Sequence, residues 1–294
     1  MVDTISRTKK SVVVIHTSVD VTSYAQVAAQ IAEWISLKSW GFICAANVHM
    51  IMEGYDAQSF QRVLNRSRLV VPDGMPLVWM LRASGYPDQP RVYGPTLMLE
   101  VCQAATVKGY SIGLFGGTQE CLDQLQVTLK EKFSSLRIAY SYSPPFRAGT
   151  PAEEDRIIEN INKSGISVLF VGLGCPKQEK WMDEHADRLN VIQIGVGAAF
   201  AFHAGLVRQA PRFLQRLGME WVFRLCAEPR RLWFRYLYHN PRFACLVIWQ
   251  LMKRRRINHG QSEKCEAVMG LSSKNPPATP VSLNESSRAR ERGK

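Results

Sequence analysis

Residues 168–182 read VLFVGLGCPKQEKWM. An apolar, β-branched run ends at Gly172 and Gly174, and Pro176 follows near the first turn of a helix, where a missing N–H costs nothing. Lys177, Gln178 and Glu179 fill that turn. A strand that passes through glycines straight into a helix is the unit from which parallel sheets are built. The same hand-over recurs outward in both directions. Strands are predicted at Val12–Thr17, Phe42–Ala45, Leu69–Val71, Ser111–Phe115, Ile138–Ser141, Val168–Val171 and Val191–Gly195. Helices are predicted at 22–38, 57–66, 75–84, 96–108, 119–133, 152–163 and 177–189. Several of these strands are continuous apolar runs, which suits strands covered on both faces.

The alternation predicts an α/β fold: a Rossmann-like, mostly parallel sheet with helices on both faces. Ligands of such folds bind beyond the C-terminal strand ends, so the residues placed there carry the chemistry. Asn47 follows the second strand, either to hold a ligand hydroxyl or to cap the next helix; taken alone, capping is preferred. Asp73 follows the third, either as an N-cap or as a general base at the cleft mouth, with Gly74 permitting close approach. Thr96 is placed as the cap of a helix beginning near Leu97. Gly116 and Gly117 end a strand before a helix, a common turn without GxGxxG spacing. Lys177 opposes the helix dipole, which a phosphate would offset; Gln178 and Glu179 are suited to a sugar or base. The alternative for all three is a solvated helix start. Gly174 and Gly197 leave room for a ligand across the sheet edge. His203 is assigned a local hydrogen bond. No His/Asp/Glu group has metal-ligand spacing, so no metal is expected.

Charge divides the chain. Of its 294 residues, 1–207 carry 19 basic and 19 acidic groups, whereas 208–256 carry 12 and two. That basic segment is rich in Trp, Phe, Tyr and Leu, and Pro229 and Pro241 are expected to cut it into three short helices. Arginines beside large apolar side chains suit an anionic membrane surface better than ordinary packing, and far better than nucleic acid, which is not expected as a partner. The longest apolar run, Phe243–Met252, has ten residues, against about 20 for a spanning helix. The short apolar run at Val12–Ile15 is not a signal peptide. Seven widely spaced cysteines without CxxC fit a reducing compartment. The expected organisation is a catalytic domain over 1–207, a helical appendage over 208–258 and a disordered tail over 259–294. An exposed apolar module also leaves pairing with a second copy open.

In order, AANVHM (45–50), LVVPDGMPLVW (69–79), RVYGPTLM (91–98), IGLFGGT (112–118), VGLGCPKQEKWM (171–182), IGVGAAFAFHAG (194–205) and VRQAPRFLQRLGMEWVFRLCAEPRRLWFRYL (207–237) resemble the WecG/TagA/CpsF family of bacterial glycosyltransferases. The resemblance implies an inverting, metal-independent transfer from a UDP-sugar to a polyprenyl-diphosphate-linked glycan acceptor. The enzyme would be cytoplasmic and peripheral, on the inner face of the bacterial plasma membrane. Asp73 falls on the family's base, and Arg208, Arg224, Arg230 and Arg231 fall among its C-terminal arginines. Some members carry Thr where this chain has Ala45, so Asn47 alone is carried over there. Gly116, Gly117, Lys177 and Gln178 would hold the nucleotide sugar; Arg224, Arg230 and Arg231 would hold the diphosphate. The rivals are a nicotinamide-dependent oxidoreductase, which lacks its GxGxxG, and a noncatalytic membrane scaffold.

Overall fold

A turn at Ile15 and His16 breaks the first predicted strand in two. Ile15 takes φ 59°, the hand that tight hairpin turns require, and β1 (Ser11–Val14) folds back antiparallel on β2 (Thr17–Asp20). This hairpin is a sheet of its own, which corrects the expectation of one strand over Val12–Thr17. It is anchored by Asp20, whose Oδ2 accepts from the Val70 N–H at 2.7 Å. The computed structural model describes residues 10–147 and 149–272.

The remaining strands are β3 (Gly41–Ala46), β4 (Leu69–Pro72), β5 (Ser111–Gly116), β6 (Arg137–Tyr142), β7 (Val168–Gly172) and β8 (Ile192–Gly195). They form one six-stranded sheet in the order β4-β3-β8-β7-β5-β6, with every pairing parallel. The connecting helices are α1 (Tyr24–Ser36), α2 (Val48–Asp56), α3 (Gln58–Arg66), α4 (Met75–Ala83), α5 (Gly94–Lys108), α6 (Gln119–Lys132), α7 (Pro151–Lys163), α8 (Lys177–Glu184) and α9 (Ala199–His203). They cover both faces, as the apolar runs require: β3 is buried at every position, whereas the edge strand β6 is nowhere fully buried. Ile43, Val71, Leu114, Phe170 and Ile194 form the sheet's contribution to the core.

Two helices were not legible. α2 lacks a long apolar period, and α9 is a single turn hidden in a small-residue run. The C-terminal segment forms α10 (Arg212–Arg216), α11 (Glu220–Ala227) and α12 (Pro229–Ser272). Pro229 starts a helix as expected, but Pro241 lies inside α12 and does not divide it. Proline forfeits one hydrogen bond there, and the helix continues on both sides. The backbone of α12 also runs through 259–272, residues assigned to the tail; they hold Glu, Lys, Ala, Met and Leu, good helix formers, and no proline. Residues 273–294 of that tail lie outside the described residues. The chain divides into two compact units, one ending at Val247 and one beginning at Ile248. The site lies in the first. No helix among the described residues is long and apolar enough to cross a membrane.

Candidate active site

The C-terminal ends of β3, β4, β5, β7 and β8 open into a cleft of about 620 Å³, walled on its other side by side chains of α11 and α12. Asp73 stands at this cleft immediately after β4. Its backbone N–H reaches the Ala46 carbonyl at 2.9 Å, and its Oδ1 accepts from the Gly94 N–H at 2.7 Å. The carboxyl is therefore fixed by two neighbouring strand-end loops. The residue is half-buried, but its carboxyl is enclosed, and this burial pushes its pKa up to about 6. Arg91 pulls the value down, Glu220 pushes it up, and Arg224 pulls it down more weakly. A carboxylate so tuned is ionised at neutral pH yet basic enough to take a proton.

The opposite wall is cationic. Arg224, Arg231 and Arg235 all line the cleft. Arg231 is paired with Glu228 at 2.6 Å. The Nε atoms of Arg224 and Arg235 are buried without a hydrogen-bond partner among the described residues. Buried charged donors are costly to leave unmet, and an anion in the cleft would meet these two. Glu220 hooks the wall to the sheet. Its Oε2 accepts from Arg91 Nη2 at 2.8 Å, and its Oε1 accepts from the Tyr93 hydroxyl at 2.9 Å. Burial, then Glu220, holds the Tyr93 phenol protonated. The Arg91 guanidinium lies 4.0 Å over the Tyr93 ring and also donates from Nε to the Asp73 carbonyl.

The floor is made by the loops after β7 and β8. Gln178 Oε1 accepts from the Gly174 N–H at 3.1 Å, and its Nε2 donates to Glu179 Oε1 at 2.7 Å. A Cβ on Gly195 would lie 2.9 Å from that Nε2, so only glycine lets the amide cross here. Glu179 is fully buried, and burial pushes its carboxyl up to about 7.

The sequence profile of the glycosyl transferase WecG/TagA/CpsF family matches residues 12–257, covering the sheet and the arginine wall alike. The chain belongs to this family. It is a glycosyltransferase. Among its relatives are the N-acetylglucosaminyldiphosphoundecaprenol N-acetyl-beta-D-mannosaminyltransferases of Staphylococcus aureus strains NCTC 8325 / PS 47 and MRSA252. Each is 25% identical over 216 residues, or 72% of this chain and 83% of the relative.

Of the residues singled out in this WecG/TagA/CpsF sequence, the fold brings Asn47, Asp73, Gly117, Gly174, Gln178, Gly197, Arg224 and Arg231 together around one cleft. Asn47 does both things asked of it: it lines the cleft, and its Oδ1 caps α2 through the Met50 N–H at 3.3 Å. The others fall outside the lining. Gly74 packs on the backbone of Asn47, and a Cβ there would meet its Cα at 3.2 Å. Gly116 sits against Gly172, beneath the floor. Thr96 is not a cap, because α5 begins two residues earlier with Tyr93 as its N-cap. Glu179 is buried behind Gln178, and Lys177, Arg208 and Arg230 are solvent-exposed. His203 makes a local bond, to the Pro95 carbonyl at 2.8 Å.

Tyr93, Glu220, Glu228 and Arg235 line the cleft and went unmarked, as did Arg91, which supports them from behind through Glu220 and Tyr93. Arg91 and Tyr93 lie within the RVYGPT motif, and Glu220 within MEW, so a signal existed, but only the fold joins residues 129 positions apart. This sequence also hid a His/Glu cluster. His49 and Glu53 are one helical turn apart on α2, and α12 brings His239 to them.

Proposed function

We propose that this glycosyltransferase moves a sugar from a UDP-sugar, with inversion and without a catalytic metal, to a glycan carried on polyprenyl diphosphate. Asp73 takes the proton of the acceptor hydroxyl as its oxygen attacks the anomeric carbon. The bond from that carbon to the UDP oxygen breaks on the opposite face. The charge that develops on the departing diphosphate is met by Arg224 and Arg235. The supporting observation is the pairing in one cleft of a basic, enclosed carboxylate with two arginine Nε donors that lack partners. The arginines supply what a metal would otherwise supply. The names of the relatives favour an acceptor of the N-acetylglucosaminyl-diphosphopolyprenol class.

Such an acceptor keeps its tail in lipid, so the enzyme acts while lying on the cytoplasmic face of a membrane. In support, α12 exposes Trp233, Phe234, Leu237 and Tyr238. At 100° per residue these fall on one helical face, beside exposed Arg230 and Arg231. Aromatic side chains with arginines at their flank are what an interfacial helix presents.

The test is nucleotide release from a panel of UDP-, GDP- and CDP-sugars, with and without short-chain diphosphopolyprenyl N-acetylglucosamine. Acceptor-dependent release of UDP, abolished in Asp73→Asn, is expected, and the donor that responds names the sugar. Release from a GDP- or CDP-sugar instead would overturn the donor. Failure to bind any nucleotide sugar would return the scaffold reading. Flotation on vesicles containing phosphatidylglycerol tests the membrane surface; equal flotation of a Trp233→Ser/Phe234→Ser variant would refute it.

A further inference from the structure

Within the lining of the same cleft, one ligand-capable atom from each of His49, Glu53 and His239 lies within 4.8 Å of the other two. His49 Nδ1 is 3.7 Å from Glu53 Oε1, and His239 Nε2 is 3.9 Å from the same oxygen. Neither separation is a hydrogen bond, which closes to about 2.7–3.2 Å. Both are close to the roughly 3.3 Å between ligands on a tetrahedron with metal bonds of about 2.0–2.1 Å.

The orphaned atom points the same way. The Nδ1 of His49 is buried, has no hydrogen-bond partner among the described residues and stands opposite a carboxylate oxygen. A cation between the two would satisfy both. The His239 side chain is only 5% exposed and turns its Nε2 toward the same carboxylate. The positive charge of Arg235 bears on both rings and weakens a cation's hold. Asp56, engaged by Arg242 at 2.6 and 2.8 Å, offsets only part of it. The affinity is therefore below that of a four-ligand structural zinc site.

We propose that His49, Glu53 and His239 bind one divalent transition-metal ion of the zinc class, tying α12 to α2 at the side of the cleft. Two imidazoles and one carboxylate, with water in a fourth position, suit zinc or cobalt; magnesium and calcium prefer oxygen alone. The ion is a clamp on the cleft wall, and the inference does not rest on the proposed transfer.

The test is titration of chelator-stripped full-length protein with zinc chloride and, in parallel, cobalt chloride and magnesium chloride. Expected are one equivalent of zinc, visible cobalt bands of a low-coordinate nitrogen–oxygen site, a higher melting temperature with zinc, and no response to magnesium. His49→Ala, His239→Ala and Glu53→Gln should each weaken zinc binding about tenfold or more, while Cys226→Ser and Cys245→Ser, at exposed cysteines, should not. Melting in chelator confirms that each variant is folded, and Glu53→Gln decides should a histidine variant fail to fold. Absence of saturable binding, binding untouched by the variants, or a thiolate-to-cobalt band overturns the site.

Discussion

Replacing Asp73 by Asn removes the proposed base while sparing the local structure. The amide keeps an oxygen for the Gly94 N–H, now bonded to Oδ1 at 2.7 Å, so the loop retains its anchor. Activity should fall by 10²–10⁴, the usual share of a general base, or about 3–5 kcal/mol in the barrier. Stability should move the other way. The carboxyl titrates near 6 when folded against an ordinary 3.8, so the folded state holds its proton more tightly than the unfolded chain does. That relative stability is present below pH 3.8 and is lost as pH rises through 6. Above pH 6 the ionised carboxylate costs at most about 3 kcal/mol, at 1.36 kcal/mol per unit. Asp73→Asn escapes this cost. It should melt at a higher temperature than wild type at pH 7.5, with the gain gone near pH 4. Acceptor-dependent UDP release measured from pH 5 to 8 completes the assay. Wild-type kcat/KM should fall about tenfold per unit below pH 6, and the variant should lose this limb. A variant within threefold of wild type, or one retaining the limb, refutes the assignment. A residue with only a structural role would lose stability and activity together.

Arg224→Ala and Arg235→Ala should each lower kcat/KM by about 10–150-fold, the value of about 1.5–3 kcal/mol for a charged hydrogen bond; the exposed Arg208→Ala should leave it within twofold, and steady-state kinetics checks all three. Glu220→Gln breaks the hook to Arg91 and Tyr93, and the Arg91–Glu220 pair is mostly buried, at 17% and 14% exposure; a loss of about 1–3 kcal/mol should lower the melting temperature by several degrees and raise KM for the donor. Gly116→Ala places a methyl 2.7 Å from the Gly172 backbone at φ 118°, and a cost of about 3 kcal/mol or more should appear in denaturant melts as a lower midpoint.

The strand-to-helix hand-overs were legible because each depends on neighbours in sequence: an apolar run buried on both faces, then glycine, then a helix start. The parallel sheet, the position of Asp73 and the basic character of 208–256 all follow from such local order. The hairpin at Ile15 was missed because a β-branched residue gives no sign of the left-handed backbone it adopts. Pro241 was over-read, since proline weakens a helix by a finite amount that the surrounding turns outweigh. Which arginines meet the cleft was legible only in part: Arg224 and Arg231 were named with Arg208 and Arg230, which lie outside it, and Arg235 was not. Arg208, Arg224, Arg230, Arg231 and Arg235 share one composition, and only the packing of α11 and α12 places three of them on the wall. The same holds for Glu220 beside Arg91 and for His239 beside His49. What the sequence determined by itself was the layered α/β fold and the chemistry at the strand ends, because these are short-range. What only the tertiary structure decided was the closing wall of the site and the burial that tunes Asp73 and Glu179, because desolvation and charge pairing depend on distance through space.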